Sequence, residues 1–399
     1  MKLLIADKLE DQALQALRAL PGLEVVPLPG IGKDALPDAM AGVGILIVRG
    51  KQVSAAVFER ADALQLVVRA GAGVNTIDVK AASARGVFVA NCPGKNAIAV
   101  AELAIGLMLA LDRRLPDAVA SLRAGRWEKG EYGKADGLFG KSLGVAGLGA
   151  IGREVLVRGH ALGLRGHVYS RSLTAEGAAE LGVTRHDSLR SLAAASDILS
   201  LHLPMTAATR GAVNAEVLGA LPARAMLINT ARAELVDHAQ LAELVRTRGL
   251  RVGLDVLPGE PEAASASYSH ELLALPGVIA TPHVGASTAQ AQLAIADEAV
   301  RIVASFLKAG EVPNCVNVAV TPPAHCQLVT RHLDRVGVLA SLLGVIKQHG
   351  INVGEMQNRQ FEGGAAATAV IRLGSAPPAA CIDELRRVPD VLHIEVVML

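Results

Sequence analysis

Residues 143–152 read LGVAGLGAIG, and the fold follows from how that stretch is built. Leu143-Gly144-Val145-Ala146 is a short apolar run of the kind that forms a buried strand. Gly147-Leu148-Gly149-Ala150-Ile151-Gly152 follows at once and opens a helical pattern running from Ala150 to Leu162. A G-x-G-x-x-G between a strand and a helix is the context of a dinucleotide-binding turn. Gly147 permits the tight turn. Gly149 lets the backbone approach a pyrophosphate, and Gly152 lets the helix pack closely on the strand. The free N–H groups at the helix start then offer the phosphates partial positive charge.

The next strand, GHVYS, ends at Ser170. In an NAD site a carboxylate at this place grips the ribose hydroxyls. Ser170-Arg171-Ser172 carries none. Arg171 and the flanking serines suit a 2′-phosphate, which sets NADP(H) beside NAD(H) as cofactor. Arg171 reads equally as a loop cation stacked on the adenine with NAD(H) bound.

On either side of this stretch, strand-like and helix-like segments alternate. LLIA, LEVVPL, GILIVRG, LQLVVRAG and VFVAN precede it; DILSLHLP, AMLINT, LRVGLDV and VIATP follow. Such alternation indicates parallel βαβ units. Long helical patterns run from Ala97 to Leu111 and from Ser287 to Leu307, and Arg123 to Gly140 reads as a loop. Pro313, Pro322 and Pro323 mark a linker. From His325 to Leu399 the order is strand, helix, strand, strand, helix, strand, the ferredoxin-like motif.

Composition sets limits on function. The 399 residues are 51% apolar and 19% charged, with a net charge of +1. That fits a globular chain and argues against nucleic acid or an acidic membrane as partner. The mean hydropathy of +0.37 raises a membrane question. The longest apolar stretch, Ala97–Leu111, is shorter than the roughly 20 residues of a spanning helix and holds Glu102. Lys2, a four-residue apolar run and Asp7 are too short for a signal peptide. Cys92, Cys315, Cys326 and Cys381 lie far apart without metal-like spacing, which points to apolar fillers in a reducing, cytoplasmic setting and to no metal site.

Three polar residues stand at strand ends of the second α/β series, where ligands gather in open sheets. Arg232 follows AMLINT, Glu260 follows LRVGLDV, and His283 follows VIATP's Thr281-Pro282. Hydride removal from a carbon bearing a hydroxyl needs a proton acceptor, and histidine suits neutral pH. A carboxylate beside it orients the ring. Arginine holds a carboxylate in bidentate fashion. Singly, each residue has an ordinary reading; placed together, they form a complete set for 2-keto-acid chemistry.

The segments RAGAGVNTID, NAIAVAEL, GLGAIGREV, NTARAELVD, GLDVLPGEP and TPHVGAST make the first 315 or so residues resemble the D-2-hydroxyacid dehydrogenases. The resemblance implies Arg232 as substrate-binding and catalytic, Glu260 as partner of the histidine, and His283 as general acid/base. It also implies cofactor contacts at Ala72, Ala150, Ile151, Ser170, Leu203, Thr230, Ala231, Asp255, Val284, Gly285 and Ala286. It implies a Rossmann-type domain, 95–284, inserted in a flavodoxin-like substrate domain, 1–94 and 285–315. A linker, 316–324, and a C-terminal α+β domain, 325–399, complete the expected organisation.

His332-Leu333-Asp334-Arg335-Val336-Gly337-Val338-Leu339 and Gly350-Ile351-Asn352-Val353 make the last domain resemble the amino-acid-binding ACT family, with Val336 where proline is usual. His332, Asp334 and Asn352 are then the implied L-serine contacts, facing a neighbouring subunit. A D-2-hydroxyacid dehydrogenase joined to an ACT domain resembles the family's phosphoglycerate-oxidising branch. That implies 3-phosphoglycerate as substrate, L-serine synthesis as the setting, and a homo-oligomer, dimer or tetramer. Arg49, Lys51 and Arg69 would hold phosphate and carboxylate, helped by the turn Gly71, Gly73 and Asn75. Reduction of hydroxypyruvate or glyoxylate, and a non-catalytic nucleotide sensor, are the competing readings.

Overall fold

The computed structural model describes residues 1–261, 265–319 and 324–399. The chain divides into two compact units, Met1–Asn317 and Val318–Leu399.

The first unit holds two parallel sheets. β1 (Lys2–Ile5), β2 (Glu24–Pro27), β3 (Val43–Val48), β4 (Leu66–Arg69) and β5 (Phe88–Asn91) pair in the order β2-β1-β3-β4-β5. This is the flavodoxin-like order. All six residues of β3 are buried. A parallel strand covered on both faces needs no polar side, which is why such strands read as unbroken apolar runs.

The second sheet contains β6 (Ser142–Ala146), β7 (Arg165–Tyr169), β8 (Thr184–Arg185), β9 (Ile198–Leu201), β10 (Met226–Asn229), β11 (Arg251–Leu254) and β12 (Val278–Ala280). Their order, β12-β11-β10-β9-β6-β7-β8, is the doubly wound nucleotide-fold order with one more parallel strand at the β12 edge.

Two helices cross between the sheets. Ala97–Arg113 leaves β5 and packs on β10, β11 and the helix Ala150–Ala161. Ala289–Ala309 returns after β12 and packs on β4 and the helix Asp11–Arg18. Its first turn is capped by Thr288, whose Oγ1 accepts the Ala291 N–H at 3.2 Å. Among the described residues no helix is long and apolar enough to cross a membrane.

Some expectations need correction. The stretch Arg123–Gly140, expected as loop, contains a helical turn, Lys129–Tyr132. Side chains pin this turn back: Arg114 bonds Glu131 at 2.6 Å and sits 4.9 Å over the Tyr132 ring. Four residues carry no readable period, so the turn is invisible to pattern. The two-residue β8 escapes for the same reason. The linker was expected from residue 316, but Val316 donates its N–H to Val89 O at 2.8 Å, and Asn317 Nδ2 donates to Val87 O at 2.8 Å. Both residues therefore belong with β5. Pro322 and Pro323 of the expected linker lie outside the described residues.

The second unit is an antiparallel sheet of β13 (Cys326–Leu333), β14 (Val353–Gln360), β15 (Ala366–Leu373) and β16 (Val391–Met398), in the order β14-β15-β13-β16. Helices Val338–Gln348 and Ala379–Arg387 complete the βαββαβ order. Leu328, Leu342, Ile371 and Leu385 form its own core. The first helix starts at Val338, directly after Gly337, which takes a φ of +94°.

Candidate functional site

β10, β11 and β12 lie side by side and parallel, so the segments after them meet at one edge. Arg232, Glu260 and His283 are brought together there. His283 Nδ1 lies 2.6 Å from Glu260 Oε2. The carboxylate can only accept, so Nδ1 carries the proton and Nε2 is left to face a reactant. Glu260 Oε1 accepts the Leu257 N–H at 2.8 Å, and Tyr268 OH steadies the loop by donating to Pro258 O at 2.7 Å.

The pair sets its own electrostatics. The Glu260 bond, then the charges of Glu260 and Asp255, raise the His283 pKa above its ordinary value, although burial and Arg232 oppose them. Burial pushes the Glu260 carboxyl up, but the His283 bond, the Leu257 N–H and the charges of His283 and Arg232 outweigh it and hold the carboxyl below its usual range.

His283 has a φ of +53°, strained for a residue with a Cβ. Asp255 holds this loop. Its Oδ1 accepts from Thr281 Oγ1 at 2.6 Å and Val284 N at 2.8 Å, and its Oδ2 accepts from Gly285 N at 2.8 Å. Asp255, expected beside the cofactor, is 2% exposed, and both its oxygens accept from the His283 loop.

Arg232 is fixed by its own turn. Asn229 Nδ2 donates to Arg232 O at 2.9 Å, Asn229 Oδ1 accepts the Ala231 N–H at 3.0 Å, and Arg232 Nη1 donates to Ala231 O at 2.6 Å. Its Nη2 lies 2.6 Å from where a Cβ on Gly73 would stand. Arg232 thus abuts the Gly71–Asn75 turn of the first sheet.

Both sheets contribute to one cleft of about 1120 Å³, lined by Arg232, Glu260 and His283 together with Arg49, Lys51, Arg69, Gly71 and Asn75. Arg69 ends β4 with its Nε buried and without a hydrogen-bond partner among the described residues. Burial, then the charges of Arg232 and Arg49, pull its pKa down. A guanidinium so placed favours an anion.

Sequence reasoning missed several lining residues, among them Asp7, Lys33 and His238. Asp7 Oδ2 accepts the N–H groups of Arg49, Gly50 and Lys51 at 2.6, 3.0 and 3.0 Å. It thereby shapes the turn that presents the two cations. Its place at the end of β1 was the available signal; Lys33 and His238 carried none.

The Gly-rich turn fits a dinucleotide. Gly147 has a φ of +99°, and a Cβ there would lie 2.6 Å from His202 O, next to Leu203. A Cβ on Gly152 would collide with Gly147 O, so the helix sits directly on the turn. At Gly149 a Cβ meets nothing, leaving the approach to the helix start at Ala150, Ile151 and Gly152 open. Thr230 Oγ1 is buried without a partner among the described residues. At the end of β7, Ser170 Oγ and Ser172 Oγ lie 3.2 Å apart, and Arg171 is exposed. Ala72, Ala231, Val284 and Ala286 are partly or fully open to solvent, whereas Gly285 is buried.

The implied effector residues do not converge within one chain. Sheet register places His332 opposite Ala367, which pairs with Gln360. Asn352 adjoins Val353, which pairs with Leu373 at the other end of the sheet. His332 is buried, and its ring nitrogens contact Leu333 O at 2.8 Å and Asn358 Oδ1 at 3.2 Å. Asp334 accepts from Gln360 Nε2. Among the described residues no cluster of His, Cys, Asp and Glu could hold a metal ion.

Residues 105–285 match the family model described as D-isomer specific 2-hydroxyacid dehydrogenase, NAD binding domain. The chain is 35% identical over 348 residues to a D-3-phosphoglycerate dehydrogenase of Methanocaldococcus jannaschii, covering 87% of this chain and 64% of that protein. It thus spans less than two thirds of that relative's length. It is 39% identical over 298 residues to a hydroxypyruvate reductase of Thermotoga maritima, covering 74% of this chain and 95% of that one. Among solved structures, an NADPH-dependent glyoxylate/hydroxypyruvate reductase from Sinorhizobium meliloti, in complex with NADP and malonate, aligns with a TM-score of 0.69 at 31% identity. It covers 79% of this chain and 96% of its own.

Proposed function

The chain belongs to the D-isomer specific 2-hydroxyacid dehydrogenases, and from that premise we propose that it oxidises D-3-phosphoglycerate at its C2 hydroxyl with NAD(P) as acceptor. The observation that carries the substrate choice is the charge of the cleft. Arg49, Lys51 and Arg69 come from the first sheet, and Arg232 from the second. A 2-hydroxy acid with a phosphate at its other end supplies two anionic groups to that set.

In this reading residues 1–94 and 285–315 bind the acid and 95–284 bind the cofactor. Gly147, Gly149 and Gly152 would seat the pyrophosphate, Ser170 and Arg171 the adenosine end, and Thr230 the inner half. When bound, the nicotinamide accepts or returns the hydride. His283 Nε2 takes the hydroxyl proton. Glu260 stabilises the imidazolium that results and keeps Nδ1 turned away from the acid. Arg232 holds the carboxylate and polarises the C2 oxygen. Arg69, Arg49 and Lys51 neutralise the phosphate.

A second reading, reduction of hydroxypyruvate or glyoxylate with NADPH, is favoured by Ser170-Arg171-Ser172. A non-catalytic sensor would have no use for the His283–Glu260 pair. L-serine binding by the second unit, a homo-oligomer and a cytoplasmic setting extend the proposal. Trp127 and Phe139, 81% and 88% exposed, support a covered face.

The test is absorbance at 340 nm with 3-phosphoglycerate, with NAD and NADP, with and without L-serine, beside His283→Ala. Turnover that collapses in the variant supports the proposal. Turnover of hydroxypyruvate or glyoxylate alone, with NADPH, moves the chain to the reductase reading.

A further inference from the structure

Glu298 is 6% exposed on the crossing helix Ala289–Ala309. A buried carboxylate must be compensated, and this one is. Oε1 accepts from Arg301 Nη2 at 2.6 Å and Asn314 Nδ2 at 2.7 Å. Oε2 accepts from Arg301 Nε at 3.0 Å and faces Lys95 Nζ at 3.3 Å. The Arg301 bond, with Asn314 and Lys95, holds the carboxyl down at about 2. These partners sit on three stretches: the helix itself, the crossing after β5, and the segment that comes back to β5.

Asn314 works as a clamp. Its Nδ2 also reaches Asn91 O at 3.3 Å, and its backbone O accepts the Asn91 N–H at 3.4 Å. Asn91 in turn donates Nδ2 to Ala72 O at 2.5 Å, and the Cys92 N–H donates to Gly71 O at 2.9 Å. Two successive carbonyls of the Gly71–Asn75 turn are therefore drawn toward the end of β5. In a planar trans peptide the N–H points opposite to the carbonyl. Fixing the carbonyls of Gly71 and Ala72 thus fixes the N–H groups of Ala72 and Gly73 on the other side. Arg232 abuts Gly73.

We propose that Glu298 is a positioning residue for recognition of the substrate carboxylate: through Asn314 and Asn91 it sets the turn whose N–H groups, with Arg232, grip that group. The proposal rests on the dehydrogenase reading. Its charge matters because a carboxamide would direct N–H groups at Arg301 or Lys95 and loosen the clamp.

Full-length Glu298→Gln and Asn314→Ala test it against the unaltered protein. The KM for 3-phosphoglycerate is expected to rise about tenfold with kcat within about twofold, the loss of one or two hydrogen bonds made equally in ground and transition state. The dissociation constant for NADH, from its fluorescence, stays unchanged. Hydrogen exchange at the amides of residues 72 and 73 speeds up. An unchanged KM, or an NADH constant that weakens in step with it, overturns the proposal. Should Glu298→Gln not fold, Asn314→Ala decides alone. If the unaltered protein turns over no hydroxy acid, the functional reading fails instead, and the exchange rates still decide whether Glu298 reaches the turn.

Discussion

His283 owes its raised pKa chiefly to one neighbour, and the direction gives a sign to the pH dependence. Oxidation requires the neutral ring, so its rate climbs as pH rises through the raised pKa. Reduction requires the protonated ring and persists up to the same point. Glu260→Gln removes the main cause of the shift, so both limbs of the kcat/KM profile should move to lower pH; a profile that stays in place would remove Glu260 from this role. His283→Ala is expected to lose about 10²–10⁴ in kcat, the usual worth of a positioned acid or base. Arg171 offers a separate test. It is exposed beside the paired hydroxyls of Ser170 and Ser172. If it reads a 2′-phosphate, Arg171→Ala lowers kcat/KM for NADPH about tenfold, one charge-assisted contact, and leaves NADH unaffected. Equal losses with both cofactors would make it an adenine-stacking residue.

At the scale of the element, the turn after β6 separates two jobs that the same residue type performs. Gly152→Ala puts a methyl against Gly147 O, a backbone atom that cannot step aside, and should cost about 1–3 kcal/mol in chemical denaturation. Gly149→Ala meets nothing and has an extended φ of −75°, so unfolding should be unchanged while dinucleotide affinity falls. Equal effects of the two variants on stability would contradict this division. The turn, the crossing helices and the parallel strands were legible because each leaves a local trace: a glycine spacing, a long apolar period, an unbroken apolar run. The adjacency of β10, β11 and β12, and with it the meeting of Arg232, Glu260 and His283, followed from parallel topology. What stayed hidden depends on partners far away in sequence. The Lys129–Tyr132 turn is held by Arg114, Asp7 acts on N–H groups more than forty residues away, and Asp255 serves the His283 loop from another strand. His332 and Asn352 look alike as polar candidates in sequence, yet antiparallel register puts them at opposite ends of one sheet.

At the scale of the whole molecule, each unit carries its own core. Leu328, Leu342, Ile371 and Leu385 cluster with residues of the second unit alone, and the clusters beneath the two parallel sheets draw only on the first. A chain ending at Asn317 should therefore fold, and it retains every residue that lines the cleft. Its turnover of 3-phosphoglycerate is expected to stay within about threefold of the full chain, as for a domain with an independent core. Any L-serine effect should vanish with the second unit. An effector alters catalysis only by binding one conformational state more tightly than another, and the sole proposed serine contacts, His332, Asp334 and Asn352, are then gone. Activity and serine titrations on both chains, with thermal unfolding to confirm that the shorter one is folded, give the comparison. A folded but inactive shorter chain would mean that the second unit holds the cleft in its working form. Serine inhibition that survives the truncation would place the effector on the first unit instead.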